Sequence, residues 1–401
     1  MKSVPQSISK PPSKPIPYGR QTVTSADVEA VVRILESDFL TQGPTVELFE
    51  RAFAQYIGAP YAVAVSSGAA ALHLCAIVLN IQPGDKVITT PITFAASANC
   101  VCYCGGEVVF ADIDPETYLL DIQNVRRILE TTSASERTRF KGVIPVDFAG
   151  LPVNMALWRE LADEFGLWIL EDACHAPGAS FTDKTGALHR TGDGSLAELA
   201  IFSFHPVKHI ASGEGGAITT ASEEMSQRLC RLRTHGITRE AHLLHEQHGG
   251  WYYEMHELGY NYRLTDIQSA LGLSQLQRAQ AGLERRREIA RRYNEAFAGT
   301  SVVVRPVPDY AHHAYHLYVV EVEHRKEVYD ALRGRGIYAQ VHYIPVHLQP
   351  YYKQFGWKKG DMPNAERYYE RCLSLPMYPA LTDEQQDYVI SAVLESVQLS
   401  S

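Results

Sequence analysis

YAVAVSSGAAALHLCAIVL, residues 61–79, decides the fold. Its first five residues, Tyr61–Val65, are β-branched, aromatic or small and read as a buried strand. The strand stops at Ser66–Ser67–Gly68, and the apolar run that follows is long enough to be a helix, Gly68–Leu79. The same alternation continues outward along the chain. Strands are expected over Lys86–Thr90, Glu107–Ala111, Gly142–Asp147, Leu167–Glu171, Ala200–Phe204 and Gly216–Thr220. Helices are expected over Phe94–Cys104, within Leu119–Glu130, and over Asn154–Phe165. On the amino-terminal side, Thr24 and Asp27 resemble a capping box before the helical pattern Val28, Val31, Val32, Leu35. Strand–helix alternation of this kind gives an α/β domain with a mostly parallel sheet covered on both faces. Ligands of such sheets lie beyond the carboxyl ends of the strands.

From Asp266 the pattern changes. One long helix is expected through Gln268–Phe297. Strands near Ser301–Val304 and His316–Val322, a helix near Lys326–Arg335, a strand near Tyr338–His342 and two terminal helices follow. This reads as a smaller α+β domain. The expected division is a flexible tail over 1–17, rich in Pro, Ser and Lys, a large domain over 18–265, and a linking helix with a small domain over 266–401.

Apolar residues make up 45% of the 401 and charged residues 21%, enough to bury a sizeable core. The formal charge of −9 argues against nucleic acid as a partner. No apolar run approaches a membrane span, and MKSVPQSISKPPSKPIP lacks the apolar segment of a secretory signal. A cytoplasmic location with seven reduced cysteines is therefore expected. Cys100, Cys102 and Cys104 lack the second ligand pair of a zinc site, and His342 and His347 are separated by Pro345 in poor geometry for a shared metal. No metal is expected.

Four segments carry candidate chemistry. In IFSFHPVKHIASGEGGAITT, residues 201–220, Lys208 follows a strand and stands between Val207 and Ile210. A lone lysine at a strand end is ordinarily solvated surface. An apolar setting lowers its pKa and frees the amine that Schiff-base chemistry needs. In LWILEDACHAPGAS, residues 167–180, a buried strand runs into Asp172. Alone, such a carboxylate is a helix cap or an ion pair. Beside Lys208 it has a specific use, because pyridoxal phosphate (PLP) is an electron sink only while its ring nitrogen stays protonated. In the opening stretch, the amides after Ser67 form a helix start that suits a phosphate, and Ser203 can add a hydroxyl. In TTPITFAASAN, residues 89–99, Phe94 follows a strand and can stack on a flat ring or simply pack in a core.

Taken together, SSGAAAL, ITTPITFAASAN, EDACHAPGA, SFHPVKHI, GEGGAITT and GYNYRLTDIQSALGLSQL resemble the DegT/DnrJ/EryC1/StrS family of sugar aminotransferases, from about Tyr18 to the C-terminal helices. The resemblance implies the type I PLP-dependent aminotransferase fold and a homodimer with shared active sites. It implies Lys208 as the PLP lysine and Asp172 as the partner of the pyridine nitrogen. His175 falls near the cofactor's phenolic oxygen, and Phe94 at the stacking position. Ser67, Gly68, Ala69 and Ser203 fall at the phosphate. Many members carry Thr where this chain has Ala69, so only the backbone contact carries over there. Asn261 is implied to reach the cofactor phosphate of the neighbouring subunit.

LTQGP, WYYEMHELGYNYRLTDIQSALGLSQL and YAQVHYIPVHLQPYY are most similar to the branch of the family in pseudaminic acid biosynthesis. That likeness implies a UDP-linked 4-keto-6-deoxy-N-acetyl hexose as substrate and L-glutamate as amino donor. The implied substrate positions are Tyr18, Asp38, Phe39, Leu40, Thr41, Gly68, Ser203, Asn261, Gln340, Val341, His342 and Tyr343. Four rivals stand beside this reading: a transaminase for another nucleotide-linked keto-sugar, a PLP-dependent sugar dehydratase, a PLP-binding regulator without turnover, and a chain of the same fold that is only a structural partner in an oligomer. Lys208 argues against the dehydratase, whose members carry His there. Lys208 and Asp172 together disfavour the regulator.

Overall fold

The computed structural model describes residues 14–400. Its centre is a seven-stranded sheet. In spatial order the strands are Tyr61–Val65, Gly216–Thr220, Leu199–Ser203, Trp168–Asp172, Phe140–Ile144, Lys86–Thr89 and Glu107–Phe110. Only Gly216–Thr220 runs antiparallel to its neighbours. The other pairings are parallel, as the alternating pattern requires.

Period-2 alternation sends neighbouring side chains of each strand to opposite cores. Val63, Val65, Ile201 and Ile218 join one cluster with Leu72, Cys75, Val101 and Val143. Ala64, Ala200, Phe202 and Ala217 join another with Phe49, Phe53 and Ile57. Both faces are thus covered, and each fully buried large side chain contributes roughly 1.5–3 kcal/mol. The helix Gly68–Val78 packs on the first face. The helix Pro44–Ile57 packs on the second, and the sequence reading did not include it. Its start was nonetheless marked: Gly43 precedes Pro44 at the first helical position.

The expected capping box is present. The Asp27 carboxylate accepts from the Thr24 amide at 2.7 Å and its hydroxyl at 3.0 Å. Asp27 also accepts from Ser274, Gln275 and Arg278, which fastens the helix Ser25–Leu35 to the helix Asp266–Leu276.

Three expectations need correction. The long helix is two, Asp266–Leu276 and Ala279–Phe297, because Arg278 leaves the helical well at φ −109°, ψ 2°. The first of these packs against the large domain, and the second core takes up the chain only from Ile289. The expected strand His316–Val322 is present as Tyr318–Glu321, paired antiparallel with Cys372–Leu375; near Ser301–Val304 only Val303 makes a bridge, to Glu321, and the strand expected near Tyr338–His342 is shortened to Ile337–Tyr338. The expected tail ends early: Ile16–Pro17 pairs with Ile337–Tyr338, and Ile16 is wholly buried in the second core. Residues 1–13 of that tail lie outside the described residues. Among the described residues no helix is long and apolar enough to cross a membrane.

Candidate active site

The loop after Leu199–Ser203 folds back at once. The Phe204 amide donates to the Gly215 carbonyl at 2.8 Å, and the Lys208 amide donates to the His205 carbonyl at 2.8 Å. This turn holds Lys208 half-buried at the carboxyl end of the sheet. Burial pushes its ammonium below the ordinary range; Cys174 and Asp172 pull the other way, and Arg286 adds to the lowering. A lysine in this setting has more free amine at neutral pH than a surface lysine.

Lys208 lines a cavity of about 430 Å³, within the size range of cofactor sites. Asp172 stands at the end of the neighbouring strand and reaches the same space. One carboxylate oxygen accepts from the Ser97 hydroxyl at 2.6 Å, the other from the Cys174 amide at 3.2 Å. The Ser97 oxygen is in turn 2.8 Å from the Thr93 hydroxyl. Because a carboxylate accepts, the protons run from Thr93 to Ser97 to Asp172.

Across the cavity begins the helix Gly68–Val78. Ser67 is its cap, with Oγ accepting from the Ala70 amide at 3.1 Å. The Gly68 and Ala69 amides have no carbonyl to bond within the helix and face an anion-favouring dipole. Glycine is needed here: a Cβ on Gly68 would come within 3.1 Å of the Ser203 Cβ, and one on Gly216 within 2.6 Å of the Ser67 carbonyl. A narrow cradle of Ser67, Gly68, Ala69 and Ser203 results.

His175 and the C-terminal domain complete the walls. The His175 Nδ1 accepts from the Ala149 amide at 3.2 Å, so the ring proton sits on Nε2, 3.2 Å from the Tyr343 hydroxyl. Burial first, then the charge of Lys208, holds this imidazole well below its usual pKa and therefore neutral. His316 lies against it with ring centroids 4.4 Å apart. His342, pushed down to about 3 by burial and by Lys208, packs on Tyr18 at 4.9 Å. Phe94 stands at the mouth, 6.4 Å from Tyr343 between centroids and 64% exposed.

Of the residues singled out from sequence, the structure therefore gathers Tyr18, Ser67, Gly68, Ala69, Phe94, Asp172, His175, Ser203, Lys208, His342 and Tyr343 around one cavity. It does not bring Asp38, Phe39, Leu40, Thr41, Asn261, Gln340 or Val341 to that cavity within one chain. Residues 38–41 are exposed, with Thr41 bridging Thr265, and Asn261 is exposed and bridges Thr234. Gln340 pairs through its backbone with Ser374. Sequence reading missed Thr93, Ser97, Cys174 and His316. The first three lie inside quoted motifs, and their neighbours in the fold were the absent signal. Cys100 is buried and Cys102 and Cys104 are half-buried, all three free. His342 and His347 take separate partners, Ser374 and Glu366.

A lysine, a carboxylate and an anion cradle around one cavity fit PLP, whose aldehyde, ring nitrogen and phosphate need three such groups. The chain belongs to the DegT/DnrJ/EryC1/StrS aminotransferase family, whose model matches residues 21–394. It is a PLP-dependent sugar aminotransferase. It is 41% identical to the spore coat polysaccharide biosynthesis protein SpsC of Bacillus subtilis, over 96% of this chain and 97% of that one. A putative sugar aminotransferase from Streptococcus pneumoniae, solved in its PMP form, superimposes with a TM-score of 0.88 at 30% identity, covering 96% of this chain and all of the other. Helicobacter pylori PseC, an aminotransferase of pseudoaminic acid biosynthesis, gives 0.86 at 29% identity, covering 96% and 100%.

Proposed function

We propose that Lys208 is the catalytic lysine of a transaminase that moves an amino group from L-glutamate to a UDP-linked 4-keto-6-deoxy-N-acetyl hexose. The products would be UDP-4-amino-4,6-dideoxy-N-acetyl-β-L-altrosamine and 2-oxoglutarate. The observation that carries the reading is the convergence of Lys208, Asp172 and the Ser67–Ala69 cradle on one cavity.

The roles follow from position. Lys208 Nζ takes the proton from the amino-bearing carbon of the donor and later delivers one to the keto carbon of the sugar, as base and then acid. When bound, PLP supplies the electron sink that stabilises the carbanion between those transfers. Asp172, held by Ser97 and the Cys174 amide, keeps the proton on the ring nitrogen. The Gly68 and Ala69 amides with the Ser67 and Ser203 hydroxyls hold the phosphate. Neutral His175 donates from Nε2 toward the phenolic oxygen. Phe94 covers the ring face, and Tyr18, His342 and Tyr343 form the sugar side of the cavity.

The remaining positions belong to a homodimer in this reading. Asn261 reaches the phosphate of the partner's site, and 38–41 with Gln340 and Val341 complete the nucleotide side. Exposed Phe39, Leu40, Trp251 and Met255 support a covering partner. A cytoplasmic setting fits seven free cysteines. PseC supports the pseudaminic acid substrate. The higher identity to SpsC favours a second reading, a different nucleotide-linked keto-sugar for a cell-surface polysaccharide.

An assay of several UDP- and dTDP-linked 4-keto sugars with L-glutamate separates the two. Turnover confined to the UDP-linked N-acetyl hexose supports the first. Turnover only with dTDP-linked sugars overturns it in favour of the second. Initial-rate lines should be parallel, and intersecting lines would exclude the two-half-reaction scheme.

A further inference from the structure

Behind Lys208 lies a second cavity of about 300 Å³, walled by Arg20–Thr22, the helix ends around Gln275–Arg286, and Pro379–Ala380. Five cations line it: Arg20, Lys208, Arg278, Arg285 and Arg286. No aspartate or glutamate does. Arg278 is neutralised from outside by Asp27, and Arg285 by Asp383 and Glu288. Arg20 and Arg286 have no carboxylate partner among the described residues.

Arg286 is the informative one. Its side chain is buried to 1% exposure and donates only to the carbonyls of Tyr315, His316 and Met377. A guanidinium taken out of water without a counter-charge is costly, and burial lowers its pKa to about 10. The Arg286 Nε has no hydrogen-bond partner. Neither do the Arg278 Nε, the Thr22 hydroxyl or the His209 Nδ1, and all four residues line this one cavity. His209 Nε2 donates to the Ala314 carbonyl, which leaves its Nδ1 an acceptor; the other three orphans are donors, and buried polar atoms in folded proteins are satisfied, so three donors around one basic space call for an occupant that accepts hydrogen bonds.

We propose that this cavity binds a small oxyanion, in the form of a dicarboxylic oxo acid or of inorganic phosphate, on the side of Lys208 away from the main cavity. The occupant bonds the Arg278 and Arg286 Nε–H groups and the Thr22 hydroxyl and neutralises Arg20. The site stands on the arginine geometry alone and does not depend on which sugar the enzyme aminates.

Calorimetric titration of the holoenzyme in low-chloride buffer, with 2-oxoglutarate and separately with inorganic phosphate, tests it. Wild type should bind at least one of them saturably. Because the main cavity also takes 2-oxoglutarate as a product, its binding identifies the carboxylate source at this cavity only where Arg20→Glu weakens it and leaves the KM for L-glutamate unchanged; binding of phosphate as well identifies a general oxyanion site. Arg20→Glu, on an exposed side chain, should weaken binding about 10-fold or more, and Thr22→Val roughly 3- to 10-fold, the loss expected for one charge-assisted or one neutral hydrogen bond. The melting temperature checks that both variants fold. Absence of binding by either anion, or affinity unchanged in both folded variants, overturns the proposal and leaves the cavity to ordered water.

Discussion

Replacing Ser97 by Ala removes the shorter of the two hydrogen bonds that hold Asp172, the one of 2.6 Å, and leaves only the Cys174 amide at 3.2 Å. Both partners are buried, so no bulk water replaces the lost donor. A hydrogen bond to a charged group is worth about 1.5–3 kcal/mol, which converts to a factor of roughly 10 to 150. If Asp172 holds the ring-nitrogen proton, the loss falls on cofactor affinity and on kcat together, because both depend on that carboxylate remaining charged and oriented. Cofactor dissociation followed by fluorescence and single-turnover rates with L-glutamate read the two effects separately. Thr93→Val is the companion variant. It removes the donor to Ser97 and spares the Ser97–Asp172 bond, so its effect should be clearly smaller. The double variant removes the orphaned Thr93 hydroxyl that Ser97→Ala leaves behind, and should recover stability without recovering kcat. Cofactor affinity and kcat both within twofold of wild type in Ser97→Ala would refute the chain from Thr93 through Ser97 to Asp172.

Three further outcomes are expected. Lys208→Ala should abolish transamination, and borohydride should no longer fix PLP to the protein; residual kcat above about 1% of wild type, against the 10²–10⁴-fold usual for a general base, would remove Lys208 from its role. Gly216→Ala places a Cβ 2.6 Å from the Ser67 carbonyl and 2.8 Å from the Gly68 nitrogen, both backbone. Overpacking of this kind costs about 1–3 kcal/mol and should appear as weaker cofactor binding, with an unchanged dissociation constant as the contrary result. Asp147 and Glu171 are buried together, and burial raises both carboxyls above the ordinary range near ~4. The folded state then holds more protons than the unfolded one, so stability should fall as pH rises above that range. Buried neutral His175 and His342 act with the opposite sign below about pH 7, so the comparison belongs between pH 7 and pH 9: there the melting temperature of wild type should fall more steeply than that of Asp147→Asn, and equal slopes would contradict the assignment.

The central strands were legible because each is a short apolar run between turn residues, and most expected ends fall within two residues of those found. Their order in the sheet was not. Tyr61–Val65 lies beside Gly216–Thr220, over 150 residues later, and no local pattern encodes that pairing. Cys372–Leu375 escaped because four residues beside Pro376 carry too little periodicity to stand out. The helix break at Gln277–Arg278 escaped because Arg, Gln and Glu are good helix formers and the cause is distant, the Asp27 carboxylate that holds Arg278. At the site, Lys208, Asp172 and the Ser67 turn were legible because each ends a strand on the ligand side. Ser97 was not, since its purpose exists only across 75 residues. Residues 38–41 and Asn261 face outward in one chain, which a family resemblance can name but a single chain's packing cannot place.

The pairing of Ile16–Pro17 with Ile337–Tyr338 bears on how the enzyme is made. Tyr18, the next residue, lines the cavity, and its carbonyl accepts from the Met377 amide at 2.8 Å. One wall of the site is therefore fixed by a strand partner and an amide that are synthesised long after it. At ~5–20 residues per second, Tyr18 waits roughly 20–70 s between its own synthesis and that of Met377. Once Thr220 has been made, the large sheet can form around Lys208 and Asp172 while the Tyr18 wall of the cavity stays open. Ribosome-bound chains halted before Met377 should accordingly form the Lys208 and Asp172 side of the cavity before the Tyr18 wall that closes it.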